Sequence, residues 1–336
     1  MNRKQIDLLL TSGKFPPGFH QGELVETHIS YVLLGRSLAY KIKKSIKYSF
    51  LDFSTLVHRK YFCEQEVILN NRLSKGVYLG VVPIYQEEGR IIVGGTRGKI
   101  IDYAVKMKRL QGTKQMHLML DQKLVTIKHM KVLASMIRGF HQQAEVIHTV
   151  FDPAALAARF NDIRSIVLFV KHSLGAEEAA VIHKATRMSD SFLRIHQETF
   201  KGRIADGYIR DCHGDLHSRN IFLYARPVIF DCLEFNDDFR RIDVLDELAF
   251  FCMDLEAEGF DHLSKAFTDY YFEGDKAQFG KTEHMLFTYY KCYRANVRAK
   301  VNALRAMNPE VSVRKGSLDD VRKYINLMDK YLDILI

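Results

Sequence analysis

The run from Cys212 to Phe235, CHGDLHSRNIFLYARPVIFDCLEF, constrains this chain more than any other segment. Two apolar stretches, Asn220 to Tyr224 and Pro227 to Phe230, flank Ala225 and Arg226, a pattern that predicts a tight β-hairpin. A hairpin brings its ends together. Asn220 and Asp231 should therefore lie side by side and offer an amide oxygen and a carboxylate, hard ligands suited to Mg2+. Asp215 stands five residues before Asn220 and places a further carboxylate on the loop that enters the hairpin. Such a group can accept a hydroxyl proton, and the whole arrangement suits phosphoryl transfer.

His213, Asp215 and Asn220 fall in HxDxxxxN, the catalytic-loop spacing of protein kinases, and an aspartate follows at the place of their DFG loop. With HGDLHSRN followed by IFDCLEF, the chain resembles the aminoglycoside phosphotransferase and choline kinase-like family, small-molecule kinases with a protein-kinase-like fold. His217 agrees with that family, since serine/threonine protein kinases usually carry Lys at this place. THISY, AYKIKK and FLDFSTL resemble a bacterial branch of unassigned substrate, and the resemblance runs from about Gly22 to Asp254. It implies an α+β, bilobal fold. Residues 1–108 would form an N-lobe with a small antiparallel sheet and one main helix. Residues 109–336 would form a mostly helical C-lobe holding the catalytic loop 213–220, the metal loop 231–235 and the acceptor site. The implied activity is transfer of the γ-phosphoryl group of ATP, with Mg2+, to a hydroxyl of a sugar, aminoglycoside or amino-alcohol-like small molecule.

Roles carried over by the resemblance fall on matching positions. Asp215 would be the catalytic carboxylate, with Asn220 and Asp231 as metal ligands. Lys41 or Lys43, two residues apart on one face of a strand, would contact the α- and β-phosphates. Glu66, or else Glu64, would pair with that lysine. Thr27, His28 and Ser30 occupy the place of the glycine-rich loop without containing glycine, so hydroxyls and amides would have to meet the phosphates. Met107 to Arg109 would be the crossing whose backbone contacts adenine. His213 and His217 would support the loop, and Asp246, or else Asp243, would brace it through its backbone amides.

Charge leaves the acceptor undecided. The chain has a net charge of +9, yet the segment from Asp231 to Glu258 holds ten acids against two bases, a local net of −8. Glu234, Asp237 and Asp238 could bind a cationic acceptor, whereas Lys291, Arg294 and Arg298 form a basic stripe that could meet an anionic one. The basic excess elsewhere is scattered, with no nucleic-acid motif, which disfavours nucleic acid as a partner. The five-residue apolar run from Ile6 to Leu10 is too short for a signal-peptide core or a membrane span, and five cysteines without a CxxC pair fit reduced thiols. These features predict a cytoplasmic protein with no membrane partner. Two other readings remain: a nucleotide-binding pseudokinase, and a metallohydrolase using His213, Asp215 and His217.

At 336 residues and 47% hydrophobic content, two lobes are expected. A leading helix at about residues 2 to 11 should precede a three-strand meander of GELVE, YVLLG and LAYKIKK. A helix from Thr55 to Leu73, capped by Ser54, should follow, and then strands at Gly80 to Tyr85, Arg90 to Gly94 and Lys99 to Met107. Helical spacing dominates thereafter, with long helices at Tyr289 to Met307 and Ser317 to Ile336.

Overall fold

Alternating apolar residues in the first third of the chain close into an antiparallel sheet in the computed structural model, which describes residues 1–19, 22–48, 50–273, 279–307 and 314–335. Helix α1 (Arg3–Ser12), held by an Asn2–Gln5 capping box, leads into strands β1 (Glu23–Glu26), β2 (Ser30–Leu34) and β3 (Leu38–Lys43). A short hairpin of β4 (Lys47–Tyr48) and β5 (Leu51–Asp52) follows, which sequence patterning does not single out. Then come α2 (Leu56–Asn70), β6 (Tyr78–Glu87), β7 (Arg90–Val93) and β8 (Lys99–Lys108). The six long strands pair in the order β1-β2-β3-β8-β6-β7.

Period-two alternation along β3 sorts its side chains between two cores. Tyr40 and Ile42 pack with Leu33, Ile84 and Ile91 of the sheet and with Ile6 and Leu9 of α1. Ala39 lies in the opposite cluster with Cys63 of α2, Tyr78 and Val105. Lys41 and Lys43 share the period of Ala39, so both ammonium groups are directed to the α2 face. On the α1 side the Tyr40 hydroxyl is fully buried without a hydrogen-bond partner. Tyr40→Phe should therefore raise thermal stability by about 1 kcal/mol, since it removes an uncompensated buried polar group. Calorimetric melting checks this, and a lowered Tm would refute it.

The cap of α2 is Thr55, whose side chain accepts from the His58 amide. Ser54, one residue before the cap, instead donates its amide and hydroxyl to the Asp52 carboxylate. The helix also ends at Asn70, short of Leu73. After α3 (Met116–Asp121) the chain is helical through α4 (Ile127–Gln143), α5 (Pro153–Asn161), α6 (Val167–Ser173), α7 (Ala176–Ile195) and α8 (Gln197–Ala205). Four short strands come next: β9 (Ile209–Asp211), β10 (Ile221–Phe222), β11 (Val228–Ile229) and β12 (Arg241–Asp243). Helices α9 (Val244–Ala257), α10 (Asp261–Tyr271), α11 (Lys281–Met307) and α12 (Arg314–Leu335) follow. The last expected helix thus begins at Arg314, and Ile336 lies outside the described residues.

Two compact units result. The first comprises Met1–Val125, His213–Asp215 and Arg219–Arg240, and the second Thr126–Cys212, Leu216–Ser218 and Arg241–Ile336. This differs from a break after Lys108. Gln115 bridges Phe222, and the Leu223 amide donates to the Lys114 carbonyl, so residues up to Val125 are knitted to the β10–β11 hairpin within the first unit. The pairing Ile221↔Ile229 and Phe222↔Val228 leaves residues 223 to 227 as the connection, a five-residue loop instead of the expected two-residue turn. In the second unit β9 and β12 pair antiparallel, and the first three turns of α9, from Val244 to Leu255, are buried all round. Among the described residues no helix is long and apolar enough to cross a membrane.

Candidate active site

The first unit gathers five ionisable side chains at the foot of α2. Lys41 Nζ lies 2.8 Å from one Glu66 oxygen and 2.6 Å from Asp231 Oδ1. Lys43 Nζ lies 2.7 Å from the other Glu66 oxygen and also donates to the Glu234 carboxylate. Glu66 therefore divides its two oxygens between the two lysines. Glu64, by contrast, is exposed beside Lys60 and takes no part. Lys43, Glu66 and Glu234 are buried, whereas Asp231 is 41% exposed at its side chain. Lys41 is thus the member of the lysine pair that reaches the accessible end of the cluster.

Charge proximity outweighs burial across most of this network. Burial alone would raise the Glu66 pKa, but Lys41 and Lys43 hold it at about 2. Burial likewise works against the Lys41 ammonium, and the carboxylates of Asp231 and Glu66 more than offset it, leaving its pKa well above the ordinary lysine range. Glu234 moves the other way. It meets a single ammonium while also facing Glu66, so burial prevails and its pKa is raised.

The loop after β11 is fastened to α2 and the turn beyond it. The Ile229 carbonyl accepts from Ser74 Oγ, the Cys232 amide donates to Asn70 Oδ1 at 2.9 Å, and the Asp231 amide donates to Tyr78 Oη at 3.1 Å. Asp231 itself has φ of +62°, a left-handed conformation that Asp tolerates better than most residues. The Phe230 amide donates to the Asn220 carbonyl at 3.0 Å, which sets Asn220 beside the start of this loop, as the hairpin reading requires.

The catalytic-loop residues are equally constrained. Asn220 Nδ2 donates to both the carbonyl and the Oδ2 of Asp215, at 3.0 and 2.9 Å. With its nitrogen committed, the amide oxygen is the atom Asn220 has to offer a cation. His213 Nε2 lies 2.9 Å from the Phe230 carbonyl, and its Nδ1 accepts from the Asp215 amide at 3.3 Å. Gly214, at φ +85°, lies so close to the next segment that a Cβ there would stand 2.8 Å from the Phe239 carbonyl. The loop is thereby pinned on both sides of Asp215.

Other expected positions fall elsewhere or are already occupied. Ser30 is buried on β2 and cannot meet an external group, and Thr27 Oγ1 closes the turn with the Ser30 amide and carbonyl; His28 is exposed on that turn. Met107 is buried in β8 between Ala39 and Tyr78. The amides of Lys108 and Arg109 are spent on the Val77 and Ser37 carbonyls. The expectation of Glu234 as an acceptor ligand is corrected by its burial against Lys43. Asp237 pairs with Arg240 at 2.8 Å, and Asp238 is exposed on the same turn.

In the second unit, Arg294 forms a two-pronged pair with Asp246 at 2.6 and 3.0 Å and is buried, so the expected basic stripe is neutralised from within. Lys291 binds Glu256, and Arg298 stands 5.4 Å over the Tyr324 ring. Asp243 binds Arg203 and caps α9. The loop amide at Ser218 is taken instead by Asp254, at 2.8 Å, a role expected of Asp246 or Asp243. Its one sequence signal is an acid inside the apolar run AFFCMDL. His217 is buried with its ring 5.5 Å from that of Phe250. Among the described residues, the His, Cys, Asp and Glu side chains close enough to share an ion are His141, Cys212 and Glu247, not His213, Asp215 and His217. The imidazole nitrogens of His213 are engaged within the loop, by the Phe230 carbonyl and the Asp215 amide.

No family model matches the sequence. An uncharacterised protein of Mycobacterium tuberculosis is 32% identical over 285 residues, covering 83% of this chain and 54% of that protein, so the chain spans about half the length of the curated relatives it matches. Among solved structures, a choline/ethanolamine kinase family protein from Mesorhizobium loti aligns over 99% of this chain and 97% of its own, at 14% identity and a TM-score of 0.54. A spectinomycin phosphotransferase in complex with ADP and spectinomycin aligns over 98% of each chain, at 14% identity and a TM-score of 0.51. These likenesses establish the architecture: an α+β chain with an antiparallel N-terminal sheet and a mostly helical remainder.

Proposed function

From the protein-kinase-like fold that this chain shares with choline/ethanolamine kinases and aminoglycoside phosphotransferases, we propose that it is an ATP-dependent kinase acting on a hydroxyl of a small molecule. One observation carries the reading: Lys41 bridges Glu66 and Asp231 while Asn220 holds Asp215, so the five side chains to which the reading gives roles in phosphoryl transfer belong to one unit. Glu66 fixes Lys41, and Lys41 would bind the α- and β-phosphates. Lys43 is too deeply buried for that task and anchors the metal loop through Glu234.

Asn220 and Asp231 fit a magnesium ion, since both offer hard oxygens and Asp231 already accepts a cation, the Lys41 ammonium. When bound, Mg2+ would neutralise charge on the β- and γ-phosphates. Asp215 orients the acceptor hydroxyl and takes its proton, while its bond from Asn220 keeps the carboxylate in place. ATP is proposed as the donor on the ADP of the spectinomycin enzyme.

Asp231→Ala should weaken Mg·ATP binding at least tenfold by titration calorimetry, because it removes a ligand to the cation. Unchanged affinity would refute the assignment. Acceptor-dependent ADP release across sugars, amino sugars, aminoglycosides, amino alcohols and nucleosides tests the activity. Binding of Mg·ATP without turnover on any of them would favour a pseudokinase.

A further inference from the structure

Two buried tyrosines of the sheet, Tyr40 on β3 and Tyr78 on β6, differ in what their hydroxyls do. Both rings sit in apolar clusters, on opposite faces of β3. The Tyr40 hydroxyl has no hydrogen-bond partner, whereas Tyr78 Oη accepts the Asp231 amide at 3.1 Å. A buried phenol oxygen is costly unless it is used. That of Tyr78 is used on the backbone of the residue proposed above as a metal ligand.

Asp231 is a residue that needs holding. Its φ of +62° lies in the left-handed region, which costs energy for any residue with a side chain and persists where neighbours enforce it. Backbone conformation sets the direction of the Cα–Cβ bond, and hence where the carboxylate stands; here Oδ1 lies 2.6 Å from Lys41 Nζ. Asn70 Oδ1 on the Cys232 amide and Ser74 Oγ on the Ile229 carbonyl fix the path of the loop to either side. The bond to Tyr78 falls on Asp231 itself. Burial, joined by the charges of Glu66 and Asp231, pushes the Tyr78 pKa well above the ordinary tyrosine range, so its oxygen stays a neutral acceptor.

We propose that Tyr78 is a positioning residue for the metal site: its hydroxyl holds Asp231 in the left-handed conformation from which the carboxylate takes Mg2+. This role rests on the kinase reading above and extends it to a residue that touches neither nucleotide nor cation. Without the hydroxyl the Asp231 amide loses its acceptor, the backbone relaxes toward the extended region, and the Cα–Cβ bond turns the carboxylate from its place. Neither the catalytic-loop motif nor strand alternation marks Tyr78, which lies 153 positions from Asp231 in the chain.

Tyr78→Phe isolates the hydroxyl, because it keeps the ring that packs with Ala39, Cys63, Val105 and Met107. Mn2+, which suits the same oxygen ligands as Mg2+, is titrated in the presence of saturating ADP and followed by electron paramagnetic resonance. The Mg2+ dependence of acceptor-dependent ADP release gives KM for the cation and kcat separately. Tyr78→Phe should weaken Mn2+ binding and raise KM for Mg2+ by about fivefold, the worth of one neutral hydrogen bond. At saturating Mg2+ its kcat should stay within about twofold of wild type. Tyr40→Phe, which removes a hydroxyl that holds nothing, should leave both cation constants unchanged, and in an Asp231→Ala background Tyr78→Phe should cost no further Mn2+ affinity. Unchanged Mn2+ affinity in Tyr78→Phe, a fall in kcat without change in the cation constants, or a loss that adds to that of Asp231→Ala overturns the positioning role and leaves the kinase reading standing. A wild-type protein that binds no Mn2+ with ADP present overturns the kinase reading and, with it, the role of Tyr78.

Discussion

Asp215→Asn should lower the rate of phosphoryl transfer by about 10^2–10^4 and leave Mg·ATP affinity within about twofold of wild type. The substituted amide retains an oxygen to accept from Asn220, which donates to Asp215 at 2.9 Å, so the loop and the neighbouring ligand geometry persist. Only the capacity to take a proton is lost. Single-turnover kinetics with an acceptor from the active panel provide the rate, and calorimetry with Mg·ATP provides the affinity. Retained turnover would exclude Asp215 as the proton acceptor, and a parallel loss of Mg·ATP binding would mean that it holds the cation instead.

The second large effect is on stability. Glu66 is the shared partner of two buried ammonium groups, and Glu66→Gln should destabilise the protein by about 3–5 kcal/mol at neutral pH, the usual cost of leaving buried charge uncompensated. The pH dependence identifies the residue. With its folded pKa at about 2 against an ordinary 4.5, Glu66 favours the ionised form on folding. Its contribution is therefore present above pH 4.5 and is lost as the pH falls toward 2. Glu234 has the opposite sign: its raised pKa favours the protonated form, so its contribution is present at low pH and is lost as the pH rises past the ordinary value of 4.5. Urea unfolding of wild type and Glu66→Gln should converge as the pH drops from about 5 to 2, whereas Glu234→Gln should lose least at neutral pH. A pH-independent gap between wild type and Glu66→Gln would sink this account.

Features written over short distances were legible in the sequence. HxDxxxxN and the flanking apolar pairs set Asp215, Asn220 and Asp231 on a loop and a hairpin because spacing alone determines those relations. Strand alternation put Lys41 and Lys43 on one face for the same reason. It could not divide their tasks, since that depends on Asp231 and Glu234, which lie 190 and 191 positions further along the chain. The family resemblance points to Asp246, or else Asp243, at a helix start as the loop brace. In a helix buried on every side, however, Asp246, Glu247 and Asp254 are distinguished only by which distant donor each meets: Arg294, His141 and the Ser218 amide. Substrate charge proved unreadable because both charge clusters hold internal partners. Net composition records the charges and is blind to their pairing.

The split membership of the first unit has a consequence for biosynthesis. Its sheet is complete once residue 108 has emerged, yet the carboxylates that answer Lys41 and Lys43 arrive only with the segment from Arg219 to Arg240, after helices α4 to α8 of the second unit. During translation the sheet must wait with two lysines facing a single glutamate, and such sequence-distant closure is slow. A truncated fragment ending at Val125 would meet the same frustration permanently. The nascent chain thus passes through an interval in which its sheet is shaped but electrostatically unfinished, and is open then to the misassembly that partly folded chains undergo.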